Sequence, residues 1–314
     1  MNHHSTAHAH DTITTVAVVG AGTVGLGWAA LFAAHGHAVR LTDPRPDLAE
    51  TLDEAMPLLA ASLHTTARAL RARVEISADL AEAVRDADLV QENGPERLEL
   101  KQELFADIAR HAPGHAVLAS SSSGIVPSAI ARRLPDEAAA RMLIAHPFNP
   151  PQVVPLVELV PGTRTSERTV ARAAGFYRSL ERVPVRLRKE IEGFVANRLQ
   201  GVVLREAFRL VADGVVTAEE LDTIMKTSLG GRWAVVGPLE SYHLGGGPGG
   251  IRHMVEHLGK GLEQADGTPA IDEAALARVI EQTESAYGTG PAAYRARAER
   301  RDRKQLAVNA AVAD

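Results

Sequence analysis

The chain of 314 residues contains no cysteine, which excludes disulfides and thiolate chemistry. Its net charge of −5 lacks the excess of basic residues that binding to nucleic acid or an anionic membrane would require. The missing cysteines also agree with a reducing compartment. We therefore expect a cytoplasmic protein that has a small-molecule partner, does not associate with nucleic acid or membranes, and holds no metal.

Charge is also missing from residues 12–34, a stretch long enough to raise the question of a membrane span. Four glycines interrupt this stretch, and histidines precede it instead of the basic residues of a signal peptide. A strand, a glycine turn and an apolar helix explain it better. The leader, residues 1–12, is expected to be disordered rather than metal-binding, although it contains His3, His4, His8 and His10.

Short runs rich in β-branched residues alternate with helical segments up to residue 188. The predicted strands are Thr14–Val19, Ala38–Thr42, Leu89–Glu92, Ala116–Ser120, Met142–His146, Val157–Val160 and Val183–Leu187. The predicted helices between them include Val24–Ala34, Asp47–Leu63, Leu98–Arg110 and Glu167–Leu180. This alternation predicts an α/β fold, a doubly wound and mainly parallel sheet of the Rossmann type, in residues 13–188.

Strand-like runs are missing after residue 188, and helical periodicity replaces them. The predicted helices are Gly193–Val211, Thr217–Ser228, Gly249–Leu258, Ala274–Tyr287 and Pro291–Asn309. Thr217 and Glu220 have the spacing of a capping box. Residues 189–314 are thus predicted to form a smaller, all-helical domain that binds substrate, with a homodimer expected through its apolar helix faces.

A glycine-rich turn, Gly20-Ala21-Gly22-Thr23-Val24-Gly25, lies between the first predicted strand and helix. In this context Gly20 permits the turn, Gly22 lets the backbone approach a pyrophosphate, and Gly25 allows close helix packing. The backbone N–H groups of Thr23 and Val24, at the start of the helix, would donate hydrogen bonds to the phosphates. Asp43 ends the second strand, where a carboxylate accepts hydrogen bonds from ribose and repels a 2′-phosphate. NAD is therefore the expected cofactor, although Arg45 follows closely.

Four further motifs stand in the order that one enzyme superfamily shows. They are Ser120–Gly124, His146–Pro150, Leu156–Glu158 and Gly193–Arg198. With them the chain resembles the L-3-hydroxyacyl-CoA dehydrogenase superfamily over residues 14 to about 260. The resemblance implies His146 as general base, Glu158 as the carboxylate that orients it, and Ser123 and Asn197 as groups that bind the reacting oxygen. It also places Glu96, Lys101, Ser121 and Asn149 near the cofactor.

These residue types suit the oxidation of a secondary alcohol. A histidine can take the hydroxyl proton as hydride leaves, and a carboxylate behind it fixes the tautomer. Ser123 and Asn197 would donate to the oxygen as it becomes a carbonyl. Each residue also has a structural alternative: His146 as a satisfied buried histidine, Ser123 as a turn serine, and Asn197 as a solvated helix residue.

The substrate class is narrowed by what the segment after Asp43 lacks. Acyl-CoA enzymes of the superfamily carry a long, lysine-rich helical hairpin there, whereas residues 44–88 contain no lysine. The segment Gly231–Glu240 with His243-Leu244 resembles the λ-crystallin/L-gulonate 3-dehydrogenase branch, and Gly245–Gly250 with Arg232-Trp233 also resembles L-carnitine dehydrogenases.

Both branches act on small 3-hydroxy acids, and Arg232 could hold a carboxylate bidentately. Trp233 could pack against a sugar chain or a quaternary ammonium, or simply lie in the core. The first expectation is an L-gulonate-like substrate, with L-carnitine and a 3-hydroxyacyl-CoA as alternatives. A crystallin-like structural protein without turnover is the alternative of a different class.

Overall fold

The computed structural model describes residues 12–262 and 272–311, with the side chains of residues 258–262 left aside. Residues 1–11 of the predicted disordered leader, which include His3, His4, His8 and His10, lie outside the described residues. The chain divides into two compact units, the first ending at Val202 and the second beginning at Val203. The boundary predicted at residue 188 lies before this division and stays a prediction.

Eight strands form one sheet in the first unit. They are β1 (Thr15–Val19), β2 (Ala38–Thr42), β3 (Val74–Ile76), β4 (Leu89–Glu92), β5 (Val117–Ser120), β6 (Met142–Pro147), β7 (Leu156–Pro161) and β8 (Val183–Arg186). Their order is β3-β2-β1-β4-β5-β6-β7-β8. Neighbouring strands are parallel except β6 and β7, which are antiparallel. The predicted mainly parallel, Rossmann-type sheet is confirmed.

The helices of the first unit cover both faces of this sheet. They are α1 (Thr23–Ala34), α2 (Leu48–Ser62), α3 (Ala67–Arg71), α4 (Leu80–Val84), α5 (Leu98–His111), α6 (Pro127–Ile130), α7 (Asp136–Ala139) and α8 (Glu167–Ser179). Successive residues of β1 point to opposite faces. Val16 and Val18 pack in one core with α1, α2 and α8, whereas Ala17 and Val19 pack in a second core with α4, α5 and α6.

Helix α1 explains the uncharged stretch that follows residue 12. Its residues from Gly25 to Ala33 are all buried, and a helix that is apolar on every side belongs in a protein core. Trp28 lies at its centre and is fully buried. None of the helices in residues 12–262 and 272–311 has the length and apolarity needed to cross a membrane.

The second unit is helical where the structure describes it. Helix α9 (Ala196–Ala212) spans the division, and α10 (Ala218–Met225), α11 (Gly231–Trp233), α12 (Pro238–Gly245), α13 (Gly250–Leu262), α14 (Glu273–Tyr287) and α15 (Gly290–Ala311) follow. The predicted capping box is present, since Thr217 and Glu220 exchange hydrogen bonds between side chain and backbone. A π-helical turn, Lys226–Gly230, separates α10 from α11.

The sequence missed the edge strand β3 and helix α12. Strand β3 has three residues, and its central Glu75 is exposed, so no apolar run marks it. Helix α12 begins at Pro238, the first position of a helix, where proline is well tolerated. The surrounding glycines made this segment look like a loop.

Candidate active site

The glycine-rich turn connects β1 to α1 in the geometry that a dinucleotide requires. Gly20 has a φ of +98°, and a Cβ there would lie 2.9 Å from the carbonyl group of Asn93. A Cβ on Gly25 would lie 1.9 Å from the Gly20 carbonyl oxygen. Gly22, in contrast, faces open space. The first and third glycines therefore shape the turn, and the second leaves room for a ligand against the backbone.

The groups around this turn are also suited to binding NAD. None of the described side chains caps the N-terminus of α1, so the N–H groups at Thr23 and Val24 can receive phosphate oxygens. A cleft of about 740 Å³ runs beside the turn and is lined by Gly20, Gly22, Asp43 and Asn93 among others. The carboxyl ends of β1, β2 and β4 thus meet at a site of suitable size and polarity.

Asp43 follows β2 directly and lines this cleft. One of its oxygens accepts the backbone N–H of Ala21 at 2.7 Å. The other accepts from the backbone N–H of Arg45 at 3.0 Å and from its guanidinium at 3.3 Å. Asp43 therefore stabilises the glycine turn and fixes the position of Arg45. Its contact with ribose stays a prediction.

His146 and Glu158 stand opposite each other on the antiparallel strands β6 and β7. His146 Nδ1 lies 2.9 Å from Glu158 Oε2, and both side chains are buried. Because an ionised carboxylate can only accept, Nδ1 carries the hydrogen and Nε2 is left as the basic atom. The predicted base and its orienting carboxylate are thus brought together.

The second oxygen of Glu158 accepts the backbone N–H groups of Val195 and Ala196 at 3.0 and 3.1 Å. Burial raises the pKa of the Glu158 carboxyl, whereas the hydrogen bonds from His146, Ala196 and Val195 lower it. The hydrogen bonds outweigh burial, so the pKa lies below its usual value. Glu158 is therefore ionised at neutral pH. It also connects the base to the start of α9, which carries Asn197.

Two aromatic rings flank the base. Phe148 lies 5.4 Å from the His146 ring in an edge-on arrangement, and Phe194 lies 5.3 Å away on a tilted plane. Phe194 is fully buried at a φ of +49°, a left-handed conformation that a bulky residue rarely adopts. Together with Gly193 at +70°, it turns the chain so that the next two N–H groups meet Glu158.

Ser123 and Asn197, the predicted oxygen-binding residues, are also neighbours. The side-chain amide of Asn197 donates to the backbone carbonyl of Ser123 at 3.1 Å. Ser123 is exposed in the loop that follows β5, so its hydroxyl is accessible. All four predicted catalytic groups therefore lie on connected elements of the first unit, while their roles in a reaction stay predictions.

Three of the four remaining residues expected near the cofactor are bonded to other groups of the protein. The Ser121 hydroxyl accepts from Trp28 and Gln91 and donates to Asn93. Asn149 is exposed and precedes Pro150 through a cis peptide bond.

The other two, Glu96 and Lys101, belong to one polar network. Glu96 accepts four hydrogen bonds from the Ser122–Ile125 loop, and the Lys101 ammonium is buried against Glu92. Sequence reasoning missed Gln91 and Glu92. A carboxylate in an apolar strand supported the functional interpretation of Glu158, and the same feature could have identified Glu92.

Arg232 and Trp233 lie in the second unit, on α11 directly after the π-helical turn. Trp233 is 37% exposed, so it is not a core residue of that unit. The glycines of Gly245–Gly250 serve packing: a Cβ on Gly246 would lie 1.8 Å from the Gly250 carbonyl oxygen, and Gly250 has a φ of +64° against the buried His243 ring. Substrate contacts of Arg232 and Trp233 stay predictions.

Comparison with known families agrees with this geometry. The model of the 3-hydroxyacyl-CoA dehydrogenase NAD-binding domain matches residues 15–191, and the model of that enzyme's C-terminal domain matches residues 193–287. The chain belongs to the 3-hydroxyacyl-CoA dehydrogenase family. The resemblance found in the sequence is confirmed. As a family member, the chain is an NAD-dependent dehydrogenase that acts on a CH–OH group.

Relatives with assigned names cover most of the chain. An L-carnitine dehydrogenase of Nocardiopsis dassonvillei is 42% identical over 81% of this chain and 77% of its own length. One from Burkholderia mallei is 38% identical over 96% and 94%. A 3-hydroxyacyl-CoA dehydrogenase of Gibberella moniliformis is 41% identical over 80% and 79%.

Among solved structures, a 3-hydroxyacyl-CoA dehydrogenase from Archaeoglobus fulgidus is 30% identical with a TM-score of 0.71, covering 94% of this chain and 99% of its own. An NAD-dependent 5-formyl-3-hydroxy-2-methylpyridine 4-carboxylic acid 5-dehydrogenase is 27% identical with a TM-score of 0.73, covering 95% and 98%. The family fold therefore extends over almost the whole chain.

Proposed function

We propose that this dehydrogenase oxidises the 3-hydroxyl of a small 3-hydroxy acid, with L-carnitine as the preferred substrate. The observation that carries the chemistry is the buried His146–Glu158 pair, which leaves one basic ring nitrogen for a proton. The preference for L-carnitine rests on the relatives, because seven of eight relatives at 38 to 42% identity bear the name L-carnitine dehydrogenase.

The residues divide the work of alcohol oxidation. Bound NAD would accept the hydride from the carbinol carbon. His146 Nε2 takes the hydroxyl proton, and the Glu158 carboxylate stabilises the imidazolium that results. Ser123 and Asn197 donate to the substrate oxygen as its charge develops, so the new carbonyl is held while the proton leaves.

One groove among the described residues has little positive charge with which to hold the phosphates of CoA. This groove of about 550 Å³ lies beside the glycine turn, against α2, the helix after β2. Its lining is mostly apolar and includes Ala55, Leu58 and Leu59. Arg45 is the one charged residue among the described residues that line the groove, and Asp43 already pairs with it. A phosphate would have to compete with that carboxylate.

A 3-hydroxyacyl-CoA substrate is the second candidate, because the Gibberella moniliformis relative at 41% identity carries that name. The L-gulonate-like substrate expected from the sequence has less support than L-carnitine among the relatives. For L-carnitine, Arg232 would pair with the carboxylate and Trp233 would face the quaternary ammonium.

We further propose a cytoplasmic homodimer formed through the predicted helical domain, residues 189–314, which begins with α9. None of the described side chains of α9 is buried, and Leu199, Val202 and Phe208 are more than half exposed. Exposed apolar residues at this density are typical of an interface. Light scattering should give twice the mass of the chain, and Phe208→Glu should shift it to one chain while Glu206→Gln leaves the dimer intact. A monomeric unaltered protein would contradict the proposal.

The decisive experiment is an assay of NADH formation with L-carnitine, L-gulonate, 3-hydroxybutyrate and 3-hydroxybutyryl-CoA. We expect kcat/KM for L-carnitine to exceed the others by roughly tenfold or more. His146→Ala should lower kcat by about 10²–10⁴ with NADH binding retained, whereas His111→Ala on the surface should not. A preference for the CoA ester would favour the second candidate, and no NADH from any substrate would favour a structural protein.

A further inference from the structure

A buried ion pair lies below the loop that carries Ser123. Glu92 ends β4 and Lys101 is on α5, and both side chains are almost completely inaccessible to solvent. The Lys101 ammonium donates to the two Glu92 oxygens at 2.8 and 3.0 Å and to the Gly94 carbonyl at 3.1 Å. Ser120 and the Gly94 N–H also donate to Glu92. Because both charges are satisfied, the pair forms a rigid support.

Glu96 stands above this support and reaches the loop after β5. Its Oε2 lies 3.6 Å from the Lys101 ammonium. Its Oε1 accepts from the Ser122 hydroxyl at 2.6 Å and from the backbone N–H groups of Ser123, Gly124 and Ile125 at 3.1, 2.9 and 3.2 Å. One carboxylate oxygen therefore gathers three successive backbone amides.

The charge of Glu96 is preserved at neutral pH. Burial raises the pKa of its carboxyl, but the hydrogen bonds from Ser122 and Gly124 and the positive charge of Lys101 bring the pKa below its usual value. The loop amides thus face an anion, which makes each hydrogen bond stronger than one to a neutral acceptor.

The same loop reaches the oxygen-binding residues. Ser123 contributes its hydroxyl, and its backbone carbonyl receives the side-chain amide of Asn197. The Ser123 carbonyl and the Gly124 N–H belong to one planar peptide unit. Because Glu96 accepts that N–H, it also fixes the carbonyl that orients Asn197.

We infer that Glu96, supported by the Lys101–Glu92 pair, is a positioning residue. It holds Ser123 and Asn197 in the orientation that lets them bind the reacting oxygen. The inference rests on the proposed function, which gives those two residues their role. It differs from the cofactor contact that the family resemblance implies for Glu96, because the geometry directs the carboxylate at the loop.

The test compares Glu96→Ala and Glu96→Gln with Glu99→Gln, an exposed glutamate on the first turn of α5, in the full-length protein. Three quantities are measured: hydrogen exchange of the peptide spanning residues 121–126, the dissociation constant of NADH, and kcat with the best substrate of the panel. Glu96→Gln keeps the shape and an acceptor oxygen but removes the charge.

For Glu96→Ala we expect exchange in the loop to rise about tenfold. We also expect kcat to fall roughly 10- to 100-fold while the NADH dissociation constant changes less than about threefold. Glu96→Gln should lie between it and the unaltered protein, and Glu99→Gln should match the unaltered protein.

A raised NADH dissociation constant with unchanged loop exchange would make Glu96 a cofactor contact and overturn the inference, as would unchanged exchange and kcat. If Glu96→Ala does not fold, the exchange of Glu96→Gln decides, since unchanged exchange there also overturns it. An unaltered protein that oxidises none of the panel refutes the proposed function instead, and the loop exchange still tests the positioning.

Discussion

Ala196 donates its backbone N–H to the oxygen of Glu158 that faces away from His146, at 3.1 Å. Val195 donates to the same oxygen, so the carboxylate closes the first turn of α9 as well as the hydrogen bond of the base. Negative charge at a helix N-terminus is favourable because the unpaired N–H groups there are partly positive. One side chain thereby fixes both the tautomer of His146 and the helix that carries Asn197.

Glu158→Gln should therefore lower kcat strongly, although glutamine and glutamate have nearly the same size. An amide nitrogen opposite His146 Nδ1 would place two donors against each other and favour the wrong tautomer. We expect kcat to fall about 10²-fold or more, with NADH affinity nearly unchanged, in steady-state and titration measurements. Normal kcat in this variant would show that Glu158 does not orient the base.

The same variant gives a pH prediction for stability. The pKa of Glu158 is lowered in the folded protein, because the hydrogen bonds outweigh burial, so its stabilising contribution is present above the unfolded value of about 4.3 and is lost as the pH falls through the folded value. Denaturant unfolding between neutral and acid pH should show this loss in the unaltered protein and a flatter profile in Glu158→Gln. Parallel profiles would contradict the assignment.

Asp43→Ser should reduce the preference of the enzyme for NAD over NADP. The unaltered enzyme is expected to use NAD at least about tenfold more efficiently than NADP, because a carboxylate repels a 2′-phosphate. Removing Asp43 also releases the Arg45 guanidinium, which could then pair with that phosphate. The measurement is kcat/KM for both cofactors, with the exposed Asp53→Ser as control. Equal use of the two cofactors by the unaltered enzyme would defeat the prediction.

Arg232→Met tests the carboxylate contact in the second unit. Loss of a charge-assisted pair should weaken substrate binding by roughly 1.5–3 kcal/mol, seen as a higher KM. The effect should vanish for the methyl ester of the substrate, and melting temperature and NAD affinity should barely change. Arg303→Met, at an exposed position of α15, is the matched control. Equal losses on acid and ester would make Arg232 a structural residue.

Lys101→Met should destabilise the first unit because it leaves the Glu92 carboxylate buried without its cation. Breaking a buried pair in this way costs about 3–5 kcal/mol, which denaturant unfolding can measure. Replacing both partners, Lys101→Met with Glu92→Leu, should recover much of that loss. A single variant as stable as the unaltered protein would show that the pair does not support the fold.

Much of the fold could be predicted because its signals are local. The strand Ala38–Thr42 and the turn from Gly20 to Gly25 follow from periodicity and from the few conformations that such a turn allows. Strand β3 could not be predicted in this way, since three residues with an exposed glutamate in the middle carry no pattern.

The site was predicted as a set of residues but not as a set of contacts. His146 and Glu158 were paired by motif, yet nothing in the sequence showed that Glu158 also holds Val195 and Ala196. Glu92, a carboxylate at the end of an apolar strand, could have been identified as a candidate. Its partners could not, because Lys101 and Ser120 lie nine and 28 residues away on other elements.

The register between β6 and β7 limits how the chain can change in length. His146 faces Glu158 because the two are paired in the antiparallel register of these strands, with Pro147 opposite Val157 and Ala145 opposite Leu159. A shift of one residue in either strand would turn the imidazole or the carboxylate to the other face of the sheet. Insertions can therefore be accommodated in the connection between the strands, residues 148–155, whereas a single deletion within either strand would remove the base from its partner.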